Sequence, residues 1–126
     1  MIDVLIIDDH PVMRELLRQV MEAYPDLCVV GEAGDGEEGV RQATKLQPAV
    51  VIIDIRLPTM SGIEAAKLIK VQCPSTTIIG LTAGEPHQLD MAMISAGATL
   101  VINKADVVNN LYPSILEAVK SLRAAI

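Results

Sequence analysis

At residues 49–54 the chain reads Ala49-Val50-Val51-Ile52-Ile53-Asp54, five apolar residues followed by an acid. Two other β-like runs also lead into charged residues: Val4-Leu5-Ile6-Ile7 precedes Asp8-Asp9, and Leu100-Val101-Ile102-Asn103 precedes Lys104. Such apolar runs are typical of buried strands in a parallel sheet. Ligands bind at the carboxyl ends of such strands, so we expect these charges to converge. The alternative is that each charge merely ends its strand in solvent.

Working outward from these runs, strand-length apolar segments alternate with stretches of helical period. The predicted strands cover approximately residues 3–8, 28–33, 49–54, 76–82 and 99–103. The predicted helices cover approximately 11–21, 37–46, 61–72, a segment within 85–96, and a last helix ending near 123. Five strand–helix units in strict alternation predict an α/β fold with a parallel sheet covered on both faces.

Two finer expectations concern the helices. Pro113 is expected in the first turn of the last helix, because proline lacks the N–H that a helix interior needs. The third helix is expected to have a core side that packs against the sheet. This side is formed by Ala65, Ala66, Leu68 and Ile69.

Composition limits the classes of protein that this chain can belong to. Its 126 residues predict one domain, 1–126, and 51% apolar against 21% charged residues excludes a disordered chain. No apolar run approaches the roughly 20 residues that cross a bilayer, and no secretory signal opens the chain, so a cytoplasmic location without membrane contact is predicted. The net charge of −6, with scattered lysines and arginines, argues against direct nucleic-acid binding. Cys28 and Cys73 form no metal or redox spacing.

The charged residues also predict a chemistry. Asp8, Asp9 and Asp54 would repel one another at one strand edge unless a divalent cation with oxygen ligands joined them, and Mg²⁺ is the natural candidate. Lys104 offers a positive charge, and the Thr82 hydroxyl a hydrogen bond, to phosphoryl oxygens. The sequence contains no serine elbow, histidine ligand pair or glycine-rich phosphate loop. A carboxylate nucleophile with these partners indicates an aspartyl-phosphate intermediate.

Four motifs in this order cover essentially the whole chain and carry a resemblance. They are Leu5-Ile6-Ile7-Asp8-Asp9-His10-Pro11, Ile53-Asp54-Ile55-Arg56-Leu57-Pro58-Thr59-Met60-Ser61-Gly62-Ile63-Glu64, Leu81-Thr82-Ala83, and Ala96-Gly97-Ala98 with Lys104 six residues further on. The chain resembles the receiver domain of bacterial two-component response regulators. Its Asp-Asp-His-Pro start and Ala-Gly-Ala element are most similar to the NarL/FixJ type, whose receivers usually precede a LuxR-type helix-turn-helix.

The resemblance implies a flavodoxin-like, doubly wound five-stranded parallel sheet of order 2-1-3-4-5, flanked by five helices. It implies that Asp54 accepts the phosphoryl group and that Thr82 and Lys104 bind the phosphoryl oxygens. It further implies Mg²⁺ ligation by Asp54 itself, by Asp9 directly, by Asp8 largely through water, and by the Arg56 backbone carbonyl.

The resemblance also implies partners and a type of output. The phosphoryl donor would be a sensor histidine kinase or another phosphohistidine protein, and phosphorylation could drive homodimer formation. Transcription would be regulated through a C-terminal DNA-binding domain that this chain does not include. We expect a signalling domain that phosphorylates and dephosphorylates itself rather than a turnover enzyme.

The chain departs from the family pattern at one position and leaves rival functions open. Val101 stands where the family usually carries an aromatic switch residue, so signalling is expected to run through the loop after Thr82 and the fourth helix. Arg56 and Gly84 occupy the positions that tune dephosphorylation in the family, and Arg56 is expected to be solvated. The rivals are a stand-alone receiver acting as a phosphorelay shuttle or protein-binding switch, an aspartate-based phosphatase, which would need an acid at position 56, and a receiver that has lost phosphorylation.

Overall fold

The computed structural model describes the backbone of residues 1–125 and the side chains of residues 1–122. The strands are β1 (Ile2–Ile7), β2 (Leu27–Ala33), β3 (Val50–Asp54), β4 (Thr77–Thr82) and β5 (Ala98–Asn103). The helices are α1 (Pro11–Glu22), α2 (Gly36–Leu46), α3 (Gly62–Gln72), α4 (His87–Ser95) and α5 (Val107–Ala125), and a short 3₁₀ turn, Lys104–Asp106, joins β5 to α5.

These bounds agree closely with the predicted ones. Every strand end lies within one residue of its prediction, and the helices differ by one or two residues at most of their ends. The predicted last residue of the domain, Ile126, lies outside the described residues.

The strands form one parallel sheet in the order β2-β1-β3-β4-β5, which confirms the predicted flavodoxin-like topology. Successive strand residues face opposite sides of a sheet, so a continuous apolar strand can pack on both faces. Val50 and Ile52 of β3 pack in the core toward α1 and α5, whereas Val51 and Ile53 pack in the core toward α3. All five residues of β3 are buried, which fixes where its last residue, Asp54, emerges.

Two helices begin with side-chain caps that the sequence supplies. Asp35 accepts a hydrogen bond from the Glu38 N–H at 2.8 Å at the start of α2, and Ser61 accepts one from the Glu64 N–H at 3.2 Å at the start of α3. Each cap satisfies a backbone donor that has no partner within the helix, a contribution of about 1 kcal/mol. The second cap fixes the end of the loop that follows Asp54.

Pro113 lies inside α5, so its expected place in a first turn is wrong. Proline cannot donate to the carbonyl four residues earlier, here that of Asn109, and both residues are exposed, where water can replace the lost hydrogen bond. The helix continues through the proline because its other face is anchored in the core by Val107, Leu111, Ile115 and Ala118.

The predicted core side of α3 is correct in part. Ala65, Ala66 and Ile69 are completely buried, but Leu68 is 44% exposed, so its assignment to the core was wrong. Each helical residue turns the chain by roughly 100°, which places Leu68 on the flank of the buried stripe.

Within residues 1–125, no helix combines the length and the apolar character needed to cross a membrane.

Candidate functional site

The charged residues that follow β1, β3 and β5 lie together at the carboxyl edge of the sheet. Lys104 Nζ lies 2.9 Å from Asp54 Oδ2 and 2.9 Å from Asp8 Oδ2. Asp8 and Asp54 are 0% and 2% exposed. The topology explains this arrangement because β1 and β3 are neighbours in the sheet, so their carboxyl ends are side by side. The alternative of independent charges in solvent does not fit two buried carboxylates that share one ammonium.

Asp9 and His10 extend this group into an acidic cluster. Asp8, Asp9, His10 and Asp54 each offer an oxygen or nitrogen atom, and these atoms lie within 4.8 Å of one another. The His10 N–H donates to Asp8 Oδ1 at 2.8 Å, while His10 Nδ1 lies 3.2 Å from that oxygen and 3.1 Å from Asp9 Oδ1. The ring is 65% exposed, so His10 contacts the two acids from the rim of the cluster.

Burial and charge set the protonation behaviour of the central pair. Burial raises the pKa of Asp54, and the nearby Asp8 carboxylate adds to the rise, against the lowering effects of Lys104 and the Arg56 N–H. Burial alone would lower the pKa of Lys104, but its contacts with Asp54 and Asp8 outweigh burial and raise it. The ammonium therefore stays charged, and Asp54 is a more basic carboxylate than an exposed aspartate.

The carboxylate oxygens fit a hard divalent cation. Asp8 Oδ2 and Asp9 Oδ1 are buried without a well-aligned hydrogen-bond donor among the described residues, although Lys104 and His10 lie close to them. A group of three carboxylates with oxygens in this state matches the ligands that Mg²⁺ takes in proteins. A position for the Arg56 carbonyl as a further ligand stays a prediction.

Backbone groups of the loop between β3 and α3 contact Asp54. Asp54 Oδ1 accepts a hydrogen bond from the Arg56 N–H at 3.1 Å, and the Ile55 carbonyl accepts one from the Gly62 N–H at 2.8 Å. Gly62 packs so tightly that a Cβ built on it would lie 2.0 Å from the Asp54 carbonyl oxygen. The loop thus folds back directly against the residue that carries the candidate nucleophile.

Thr82 ends β4 beside this cluster, but its hydroxyl is turned to a different partner. Thr82 is 6% exposed, and its hydroxyl donates to Glu85 Oε2. The same carboxylate oxygen accepts from the Ala83 N–H at 2.6 Å, and Glu85 Oε1 lies 3.3 Å from Arg56 Nε. Arg56 is 67% exposed, as expected for a solvated side chain, but it forms this ion pair.

Glu85 is itself strongly held. Its side chain is 6% exposed. Burial alone would raise its pKa, but hydrogen bonds from Thr82 and the backbone, with the charge of Arg56, outweigh burial and keep the pKa below its ordinary value. Glu85 is therefore a buried, ionised carboxylate at the edge of the site.

Sequence reasoning missed two residues of this site. Glu85 is the first, and the Thr82-Ala83-Gly84-Glu85 stretch carries a signal for it, because Ser/Thr followed three residues later by Glu is a hydrogen-bonding capping pattern. Arg14 is the second: its guanidinium donates to the Asp8 carbonyl at 2.6 Å across the turn that follows β1. No local pattern identifies that contact, because it depends on how α1 packs beside the sheet.

Residues 4–115 match the response regulator receiver domain family. The transcriptional regulatory protein LiaR of Bacillus subtilis is 40% identical over 120 residues, which are 95% of this chain and 57% of that protein. A protein-glutamate methylesterase/protein-glutamine glutaminase of Myxococcus xanthus is 40% identical over 102 residues, which are 80% of this chain and 29% of that protein.

Solved structures agree with this match. The response regulator domain of CheB from Thermotoga maritima has a TM-score of 0.87 and 32% sequence identity, and the comparison covers 95% of this chain and 97% of that one. This chain therefore matches nearly the whole isolated domain of CheB. It matches 57% of the length of LiaR and 29% of the length of the Myxococcus xanthus protein.

Proposed function

This chain belongs to the response regulator receiver domain family, and we propose that it is a switch in which Asp54 accepts a phosphoryl group from a histidine kinase or another phosphohistidine donor. The observation that carries this proposal is the buried Asp54 carboxylate, joined to Asp8 through Lys104 at the carboxyl edge of the sheet. An aspartate in this setting is a nucleophile with its charge compensation already in place.

In the proposed step, an Asp54 carboxylate oxygen attacks the phosphorus of the donor. The phosphorus–nitrogen bond of phosphohistidine breaks, and the imidazole leaves with its electron pair; with acetyl phosphate a phosphorus–oxygen bond breaks and acetate leaves. The raised pKa of Asp54 makes its carboxylate a better nucleophile while it is ionised. Lys104 and Thr82 would then hold the phosphoryl oxygens by charge and by a hydrogen bond.

Asp8, Asp9 and Asp54 would hold Mg²⁺, with the Arg56 carbonyl as a further ligand. Bound there, the cation would offset the carboxylate charges and those of the phosphoryl oxygens. His10 would keep Asp8 and Asp9 in position through its contacts with both.

The direct test of the proposal uses a small phosphodonor. With acetyl phosphate and Mg²⁺, the intact mass should increase by about 80 Da, the mass of one phosphoryl group. Because an acyl phosphate forms, alkaline hydroxylamine should remove it. A protein whose mass never changes under these conditions would contradict the proposed function.

A second prediction concerns the cation. Asp9→Ala should weaken Mg²⁺ binding by about tenfold or more, and Asp8→Ala should weaken it less, because Asp9 is proposed to ligate the cation directly and Asp8 largely through water. The chain has no tryptophan, so calorimetric titration is the suitable measurement. Equal affinities of the wild type and Asp9→Ala for Mg²⁺ would refute the metal role.

The output proposed for this receiver is regulation of transcription through a C-terminal helix-turn-helix, in the cytoplasm. LiaR, a transcriptional regulator that this chain covers over 57% of its length, supports this proposal. A second candidate output is a methylesterase, favoured by the similarity to the Myxococcus xanthus protein. The coding sequence that surrounds residues 1–126 distinguishes these outputs from a stand-alone receiver that acts as a phosphorelay shuttle or protein-binding switch.

A third prediction addresses Val101, where the family usually carries an aromatic residue. Val101 is half-buried and pairs with Gly80 of β4, and a Cβ built on Gly80 would lie 3.3 Å from Val101 Cγ2 and 3.0 Å from Met93 Cγ of α4. Val101→Tyr should change self-association of the phosphorylated domain more than phosphorylation itself. The reason is that the proposed phosphoryl transfer depends on Asp54, Thr82 and Lys104 and not on the side chain at position 101. We expect the phosphorylation rate to stay close to that of wild type.

Both properties should be measured on one preparation, phosphorylation by intact mass and self-association by sedimentation. A Val101→Tyr protein whose phosphorylation collapses while its association is unchanged would place the residue in the phosphoryl-transfer machinery instead.

A further inference from the structure

The Thr82 hydroxyl has used its full hydrogen-bonding capacity. It donates its single proton to Glu85 Oε2 and accepts from the Gly84 N–H at 3.1 Å and from the Glu85 N–H at 3.0 Å. A hydroxyl has one donor and two acceptor positions, so nothing is left for another partner. Thr82 can donate to a phosphoryl oxygen only after it releases the Glu85 carboxylate.

Glu85 is held by more than Thr82. Its Oε2 also accepts the Ala83 N–H, and its Oε1 pairs with the exposed Arg56 guanidinium from the loop that follows β3. The carboxylate therefore connects the loop after β3, which follows Asp54, with the loop after β4. When Thr82 leaves, the buried carboxylate keeps a backbone donor and a cation, so its charge stays compensated.

We propose that Glu85 is a latch: it occupies the Thr82 hydroxyl in the unphosphorylated protein and must exchange it for the phosphoryl group when Asp54 is modified. This inference rests on the proposed function, because it concerns the state that follows phosphoryl transfer. Glu85 acts through Thr82 and is a positioning residue. The latch sets how readily the active arrangement is reached, because every phosphorylated molecule has to break the Thr82–Glu85 hydrogen bond.

The loop around the latch has free space at Gly84 and leads directly into α4. Gly84 has φ of +96°, and a Cβ built on it would meet nothing within 4 Å, so this part of the loop has both space and an unusual backbone freedom. Pro86 caps α4, which begins at His87, two residues after Glu85. Release of Glu85 is therefore passed to the start of α4 without any aromatic residue in β5.

The test measures binding of beryllium trifluoride with Mg²⁺, a phosphoryl mimic, by amide resonances of the full chain. Glu85→Ala should bind the mimic about tenfold more tightly than wild type, since one hydrogen bond to a charged group no longer has to be broken. Glu85→Gln removes the charge but keeps an acceptor, so its gain should be smaller. Glu37→Gln is the matched control: it removes the same charge at an exposed site on α2 and should bind as wild type.

A double-mutant comparison separates the latch from a general effect of the substitution. In a Thr82→Ala background there is no hydroxyl to release, so adding Glu85→Ala should give no further gain. If the gain persists in that background, it comes from the freed Arg56 or from altered folding, and the latch is refuted. Equal affinities of wild type and Glu85→Ala would refute it as well.

The outcome for the wild type separates the two proposals. A wild-type protein that neither binds the mimic nor gains mass with acetyl phosphate overturns the proposed function, and the latch with it. A wild type that does both, beside a Glu85→Ala variant with unchanged affinity, overturns the latch alone.

Discussion

Asp54→Asn is expected to lower the rate of phosphorylation by acetyl phosphate by at least about three orders of magnitude, because the amide is not a nucleophile. Asp8, the other buried carboxylate of the site, keeps its contacts with the His10 N–H and Lys104 in this variant, so a mass increase that persists would point to Asp8 or Asp9 as the acceptor. Intact mass after incubation with the donor and Mg²⁺ measures the effect directly.

The loss should occur without unfolding. The pKa of Asp54 is raised, so the folded protein binds this proton more tightly than the unfolded chain does. The contribution of this group to stability is thus largest at low pH and is lost as the pH rises through the folded pKa. At neutral pH the charged form is unfavourable, and Lys104 keeps Asp8 as a partner in the variant. The unfolding temperature of Asp54→Asn in the absence of metal should therefore not fall below that of wild type.

Asp3→Asn is the matched control, since it makes the same change at an exposed position near the start of β1. It should take up the phosphoryl group at the wild-type rate. Labelling of Asp54→Asn to the same extent as Asp3→Asn would show that the phosphoryl group is carried elsewhere.

The gathering of charges at the sheet edge was predictable because it depends on strand order and strand direction alone. Asp54 is the last residue of the buried strand β3, and Asp8 and Lys104 directly follow β1 and β5 of the same sheet, so the positions of all three residues are set by the strands. The caps and turns along the chain predicted most element ends to within one or two residues, but not the start of α5, because Pro113 was expected in its first turn. Residue types and strand order were thus sufficient to predict most residues of the candidate site.

The errors occurred where side-chain direction or solvent decides. Pro113 is tolerated inside α5 because Pro113 and Asn109, whose carbonyl it leaves without a donor, are both exposed to solvent, which a pattern of residue types does not show. Leu68 is apolar but lies on the flank of α3. Glu85 was missed because its role depends on a loop that folds the carboxylate back onto Thr82, although the Thr-x-x-Glu spacing contains part of that information.

Gly62→Ala should have the largest effect on stability, because the new methyl group has no room. A Cβ on Gly62 would lie 2.0 Å from the Asp54 carbonyl oxygen and 2.8 Å from the Ile55 Cα, both backbone atoms that cannot rotate away. Overpacking in a core costs about 1–3 kcal/mol, and more where the backbone must move. We therefore expect a loss of at least about 3 kcal/mol, a large share of the roughly 5–15 kcal/mol that stabilises a domain of this kind.

Urea denaturation measures this loss, and Gly34→Ala provides the comparison. A Cβ on Gly34 would meet only the Arg14 guanidinium at 3.5 Å, an ordinary contact, so this variant should stay within about 1 kcal/mol of wild type. The folded fraction of Gly62→Ala should also phosphorylate more slowly, because relief of the clash has to displace the backbone of Asp54 itself. A Gly62→Ala protein as stable as Gly34→Ala would mean that the loop after β3 does not pack against Asp54 as described.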